Sequence, residues 1–170
     1  WSAVQSLEHD YRIALSLTDA EGFSWALADY TPATGVYPTS DWRPDQLVRD
    51  DVDLSIPVGT PPGRYQLTVS VYPADGSGPS LAVYGEQDRL LGLIVPIGEI
   101  DVIPAPQSPA DRTLPVEHPL SRRYGPLILL GHSYGGGTYR PGDIVLLDAY
   151  WRAVRAPQAD LTFELHLLDE

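Results

Sequence analysis

Pro61-Pro-Gly-Arg-Tyr-Gln-Leu-Thr-Val-Ser-Val-Tyr72 is the stretch that decides the fold class. Tyr65, Leu67, Val69 and Val71 fall on every second position, the spacing at which an extended chain turns its side chains to one face. Two prolines and Gly63 end whatever precedes them and launch the strand over 64–72. Working outward, Asp75-Gly-Ser-Gly78 signals a hairpin into 81–84, and 89–103 reads as two short apolar stretches interrupted by Gly98. Upstream, Tyr11, Ile13, Leu15 and Leu17 alternate within 10–18, and Asp19-Ala-Glu-Gly22 turns the chain into Phe23, Trp25 and Leu27. Residues 29–40 are too rich in turn formers for regular structure, and 47–56 carries an imperfect alternation that predicts a further strand.

Residues 104–119 hold five prolines and predict a semi-rigid extended linker. Beyond it, strands are expected over 124–130, 144–151 and 160–168, with Arg140-Pro-Gly-Asp143 as a turn. Helical periodicity is almost absent. Short strands separated by Gly/Pro turns predict an all-β antiparallel β-sandwich, immunoglobulin-like or jelly-roll-like.

The two ends of the chain match. Aligning 1–20 with 151–170 gives seven identities: Trp1/Trp151, Ala3/Ala153, Val4/Val154, Asp10/Asp160, Leu15/Leu165, Leu17/Leu167 and Asp19/Asp169. Chance gives roughly one in twenty, and an offset of 150 residues is the size of a domain. The sequence therefore reads as a permuted frame of a tandem repeat. Residues 1–103 form a sandwich lacking its leading strands, 104–119 the linker, and 120–170 the leading strands of a second copy, able to complete the first within one chain or between chains. Strand-swapped self-association and neighbouring copies of the module are the expected partners. With no Met anywhere, the chain also reads as a fragment of a longer protein.

Composition narrows the possibilities further. No Cys means neither disulfides nor thiolate metal sites, and no Asn means no N-glycosylation sequon. A net charge of −12 argues against nucleic acid and anionic lipid as partners. No apolar run approaches the length of a membrane span.

Several motifs are similar to a known family. Gly35-x-Tyr-Pro-Thr-Ser-x-Trp42, Pro44, Val48, Asp50, Ile56-Pro57, Pro61-Pro62-Gly63-x-Tyr65-x-Leu67-x-Val69 and Tyr72 form one group. Arg140-Pro-Gly-Asp143, Tyr150-Trp151-Arg152-Ala153 and Leu165 to Asp169 form another. Together they resemble tandem β-sandwich modules in the soluble parts of bacterial membrane proteins similar to dolichyl-phosphate-mannose-type glycosyltransferases. The resemblance covers all but 104–119 and rests on turn and core motifs. It implies a non-catalytic, extracytoplasmic accessory or interaction domain without a cofactor; transfer chemistry would belong to the membrane part.

Three chemistries can be weighed residue by residue. Gly131-His-Ser-Tyr-Gly135 follows an apolar strand, as the nucleophile elbow of a hydrolase does, and Ser133, Asp148 and His166 keep hydrolase order. An elbow requires a helix next, whereas here the chain continues Gly-Gly-Thr-Tyr-Arg-Pro-Gly, so an esterase using Ser133 is only a remote alternative. Asp50, Asp51 and Asp53 could offer oxygens to a hard cation, but in a strand they divide between two faces. His9, His118, His132 and His166 show no paired spacing, so no metal site is expected. Carbohydrate binding is the principal rival: Trp25, Tyr30, Tyr37 and Trp42 beside Asp29, Asp41 and Arg43 would offer ring faces and planar polar groups, with Trp42, Tyr37, Tyr30, Asp41 and Arg43 the candidate ligand residues. Trp25, alternating with Phe23 and Leu27, reads as core.

Overall fold

The computed structural model describes residues 1–107 and 110–168. Strand makes up 39% against 8% helix, all of the latter in short 3-10 turns, and every sheet is antiparallel. The protein is all-β and sandwich-like in class. It divides into two compact units, Trp1–Pro106 and Gln107–Glu170.

The first unit is built on a four-stranded sheet in the order β2-β1-β3-β6, with β1 Tyr11–Thr18, β2 Ser24–Tyr30, β3 Gly63–Pro73 and β6 Val95–Val102. In the chain between β3 and β6, β4 Val83–Tyr84 and β5 Leu90–Gly92 form a small separate ladder. Register explains the inner face. Ile13 opposes Val71, Leu15 opposes Val69, and Leu17 opposes Leu67, so the alternating apolar sets of β1 and β3 coincide on one face. Leu17 is fully buried and packs with Ala26 and Tyr65, while Trp25, Leu54, Ile100 and Val102 close around them. The break at Gly98 is a bulge: Leu67 pairs Gly98 and Thr68 pairs Pro96, leaving Ile97 unpaired and exposed.

The β1–β2 turn is closed by one carboxylate. Asp19 accepts the backbone N–H groups of Glu21 and Phe23 through Oδ1 and the Trp25 indole N–H through Oδ2, at 3.1, 2.8 and 2.8 Å. Gly22, at φ +84°, supplies the left-handed step.

Several strand expectations fail for one reason, the need for a partner. Residues 47–56 form no ladder beyond an isolated bridge between Ser2 and Leu47. Val48 and Leu54 instead drop into two separate core clusters, so the segment contributes side chains and not a strand. The turn after β3 forms, but its hairpin does not: Leu81 donates one bond to Val71 O at 2.7 Å, and β4 pairs with β5. In the 29–40 loop β2 runs on to Tyr30, and two 3-10 turns follow at Pro32–Gly35 and Thr39–Asp41.

The second unit holds one three-stranded sheet, β7 His118–Tyr124, β8 Leu127–Tyr134 and β9 Leu147–Ala153, in that order. The expected strand at 124–130 is split by a turn at Gly125, and the region expected as linker to residue 119 contains a 3-10 turn at Asp111–Thr113 and the start of β7. Proline is tolerated in β7 because it is an edge strand, and a bulge between Pro119 and Arg122 lifts Leu120 and Ser121 out of register.

The matched ends do not share a conformation. Residues 11–18 form β1, an inner strand of the four-stranded sheet, whereas 160–168 form no ladder. Ile13, Leu15 and Leu17 are 2, 9 and 0% exposed; Phe163, Leu165 and Leu167 are 55, 79 and 102% exposed. Trp1 lies exposed beside Val48, exchanging two bonds of 2.8 Å with it, while half-buried Trp151 packs against Tyr124 and Phe163. Asp169, matched with Asp19, lies outside the described residues.

This contrast gives a direct prediction. Leu17→Ala is expected to cost about 2–5 kcal/mol of folding free energy. Leu167→Ala, at the matching position, should stay within about 0.5 kcal/mol. Urea unfolding of the two variants measures both values.

Candidate functional site

The loop with the predicted glycan residues is held by its own polar groups. Trp42 is 6% exposed and packs with Ala3 and Val48, its indole N–H donating to Tyr37 O at 3.1 Å. The Tyr37 hydroxyl bonds Asp41 O and Gln46 Oε1, both at 2.9 Å. Thr39, 3% exposed, accepts the Tyr11 N–H at 2.9 Å, and Asp10 accepts the Ser40 N–H at 3.0 Å, fastening the loop to the start of β1.

Around this frame lies an open hollow of about 480 Å³ lined by Tyr37, Arg43, Pro44, Asp45 and Gln46. Asp45 stands there at φ +63°, a left-handed conformation Asp tolerates better than most residues, and its N–H donates to Ala3 O at 2.8 Å. The structure thus brings Tyr37 and Arg43 to one surface and turns the Trp42 ring inward. The Asp41 side chain is exposed on the adjoining turn. Tyr30 does not line the hollow; burial first, and the Asp50 carboxylate second, push its phenol up to about 12.

On the sheet itself sits a polar cluster that sequence reasoning missed. Arg12 donates from Nε to Asp29 Oδ1 at 2.9 Å and from Nη2 to Asp29 O at 3.0 Å, and the Tyr72 hydroxyl donates to Asp29 Oδ2. The Tyr72 hydroxyl, then Arg12, hold the Asp29 carboxyl below the usual range. The signal was present in the register, because Arg12 and Tyr72 are direct cross-strand partners. It was hidden because the three residues lie on three strands and share no motif.

Ser133 has a structural task. Its hydroxyl accepts the Glu117 N–H at 3.1 Å and donates to Pro115 O at 2.8 Å. His166 faces Glu164 at 3.5 Å, and Asp148 opposes Ser133 across the β8–β9 ladder. Gly131 answers to close packing: a Cβ there would meet His118 O and Val116 Cγ1, both at 2.4 Å. In the acidic stretch, Arg49 pairs with exposed Asp51 at 3.1 Å while Asp50 accepts the Ala33 N–H at 3.0 Å. Among the described residues no group of three or more His, Asp or Glu could hold a metal ion.

The histidines hold a second arrangement that spacing concealed. His118 and His132 are direct partners across the β7–β8 ladder, with ring centres 5.0 Å apart. A bulge separates this pair from the turn at Gly125, so a regular hairpin count from that turn would misplace it.

No protein-family model matches the chain, and neither a curated protein nor a solved structure matches it.

Two predictions follow from these contacts. Gly131→Ala should destabilise the second unit by at least about 1–3 kcal/mol through overpacking, read as a lower unfolding midpoint. The second concerns acid. Asp10, held low first by the Ser40 N–H, Asp19, held low first by the Trp25 indole N–H, and Asp29, held low first by the Tyr72 hydroxyl, all have depressed folded-state values. Their contribution is therefore complete above the unfolded carboxylate value of about 3.9 and is lost as pH falls through the folded values. The stability difference between the native chain and Asp19→Asn should hold from neutral pH to about 5 and shrink below about 4, as measured by urea unfolding at each pH.

Proposed function

We propose that this chain is a non-catalytic β-sandwich module that acts by association, as an extracytoplasmic accessory domain of a membrane-associated, glycosyltransferase-like protein. Its partners are neighbouring copies of the same module. One observation carries the reading: 160–168 repeats the apolar alternation of β1, yet forms no ladder and exposes Leu161, Phe163, Leu165 and Leu167. A strand with an apolar face and unpaired backbone is a template for pairing with another chain. In this sequence β1 fills the slot between β2 and β3, so a further copy accepts 160–168 there by strand exchange, its own β1 giving way. Exposed Leu90, Leu91, Leu93, Ile94 and Ile97 in the first unit support the same reading, since apolar surface of this kind marks an interaction face.

The parent protein and compartment rest on the motif resemblance. No helix among the described residues is long and apolar enough to cross a membrane. A parent reading frame without membrane spans or further copies of the module would remove this part of the proposal.

Light scattering over a range of concentrations tests the association. The chain is expected to form dimers or larger species, and the double variant Leu165→Asp/Leu167→Asp is expected to remain monomeric with unchanged circular dichroism. A native chain that stays monomeric at high concentration, or a variant that associates equally, would overturn it.

The hollow beside Tyr37 and Arg43 favours a second reading, a carbohydrate-binding module. Arg43 is exposed and lines the hollow, so Arg43→Ala tests the surface, whereas Trp42→Ala would remove a core side chain. Saturable glycan binding that Arg43→Ala weakens would establish this reading.

A further inference from the structure

We infer that His118 and His132 form a two-imidazole site for a divalent late transition-metal ion on the β7–β8 ladder. Neither the association reading nor the hollow at Tyr37 requires this site, and it lies wholly within the second unit.

The geometry starts from the register. Residues directly opposite one another on antiparallel strands carry their Cβ atoms close together, and His118 and His132 are such a pair. Their ring centres lie 5.0 Å apart. Two imidazoles bound to one ion through nitrogens at about 2.0–2.1 Å place their ring centres roughly 4.5 Å apart at the cis angle of a tetragonal site and roughly 5 Å apart where that angle opens. The backbone thus sets the separation of the rings before any ion arrives.

A second, independent observation comes from His132 itself. Its Nδ1 is buried and takes no hydrogen bond. Buried polar atoms are ordinarily partnered, and an imidazole nitrogen without a partner is a donor for a borderline cation. His118 is exposed and can turn its ring about a broad terminal torsion to present a nitrogen. Tyr134 completes the cluster, its ring 5.2 Å from His118 and 5.7 Å from His132, and walls one side of the pair. With two imidazoles and the remaining positions left to water, the site suits Cu(II) above the other divalent ions of the first transition row. Binding there would tie edge strand β7, interrupted by Pro119 and a bulge, to central strand β8.

Titration of Cu(II) into the full chain at neutral pH, with chelating buffers and tags removed, tests the site. The expected result is saturation at one ion per chain, nitrogen hyperfine structure from two imidazoles in the electron paramagnetic resonance spectrum, and a raised Tm. Addition of EDTA should release the ion and return the Tm to that of the metal-free chain. His118→Ala and His132→Ala should each raise the Kd by at least about tenfold and abolish the Tm gain. His118→Gln offers a milder change at the exposed ligand, and circular dichroism checks the fold of each variant. The double variant His9→Ala/His166→Ala should bind as the native chain does. Absence of saturable binding, or binding carried by His9 or His166 and indifferent to His118 and His132, would show the ring cluster to be aromatic packing only and overturn the site.

Discussion

The first unit depends on β1 being hydrogen-bonded along both edges, to β2 on one side and β3 on the other, because that pairing superimposes three apolar sets. Once Leu17 opposes Leu67 and Ala26, the fully buried position at the centre of the sheet is defined, and Tyr65 and Trp25 pack around it. A slip of one residue would carry every one of these side chains to the opposite face. The turn at Asp19 opposes such a slip, since its carboxylate is spent on two backbone amides and the Trp25 indole at once.

The irregular segments follow from the same arrangement. With β1 paired on both sides, the backbone of 44–56 has no free edge of β1 to join, and it crosses the unit while lending Val48 and Leu54 to the cores. Side-chain hydrogen bonds do the work that a ladder does elsewhere. Thr39 and Asp10 fix one end of the aromatic loop, and Tyr37, Gln46 and the Trp42 indole fix the other. Trp42 illustrates why an aromatic in a loop is ambiguous from sequence: its neighbours in the chain are polar, but its neighbours in space are Ala3 and Val48.

Legibility from sequence tracked locality. The alternations of 11–18 and 64–72 became β1 and β3, because period-2 patterning and the flanking turns are properties of adjacent residues. The strands read at 47–56 and 160–168 did not form, although the latter carries the β1 pattern more plainly than β2 does. Alternation reports that a segment fits a sheet, and cannot report whether a sheet is there to receive it. The Gly131-x-Ser133-x-Gly135 motif has structural causes of the same kind: Gly131 is required by the approach of β7, and Ser133 bonds two backbone groups of the preceding segment, neither visible as spacing along the chain.

The sequence by itself determined the all-β class, the position of the Asp19 turn and the apolar faces of β1 and β3, because each is set by residues within a few positions of one another. For β2 it pointed to Phe23, Trp25 and Leu27, whereas Ala26 is the buried residue opposite Leu17 and both Phe23 and Leu27 are exposed. Tertiary structure alone decided which apolar segments became strands, that Trp42 faces inward, that Arg12, Asp29 and Tyr72 meet on one sheet, and that His118 stands opposite His132. Those outcomes depend on register between segments far apart in the chain, and register is fixed by bulges, partner strands and close approaches that exist only once the sheets are assembled.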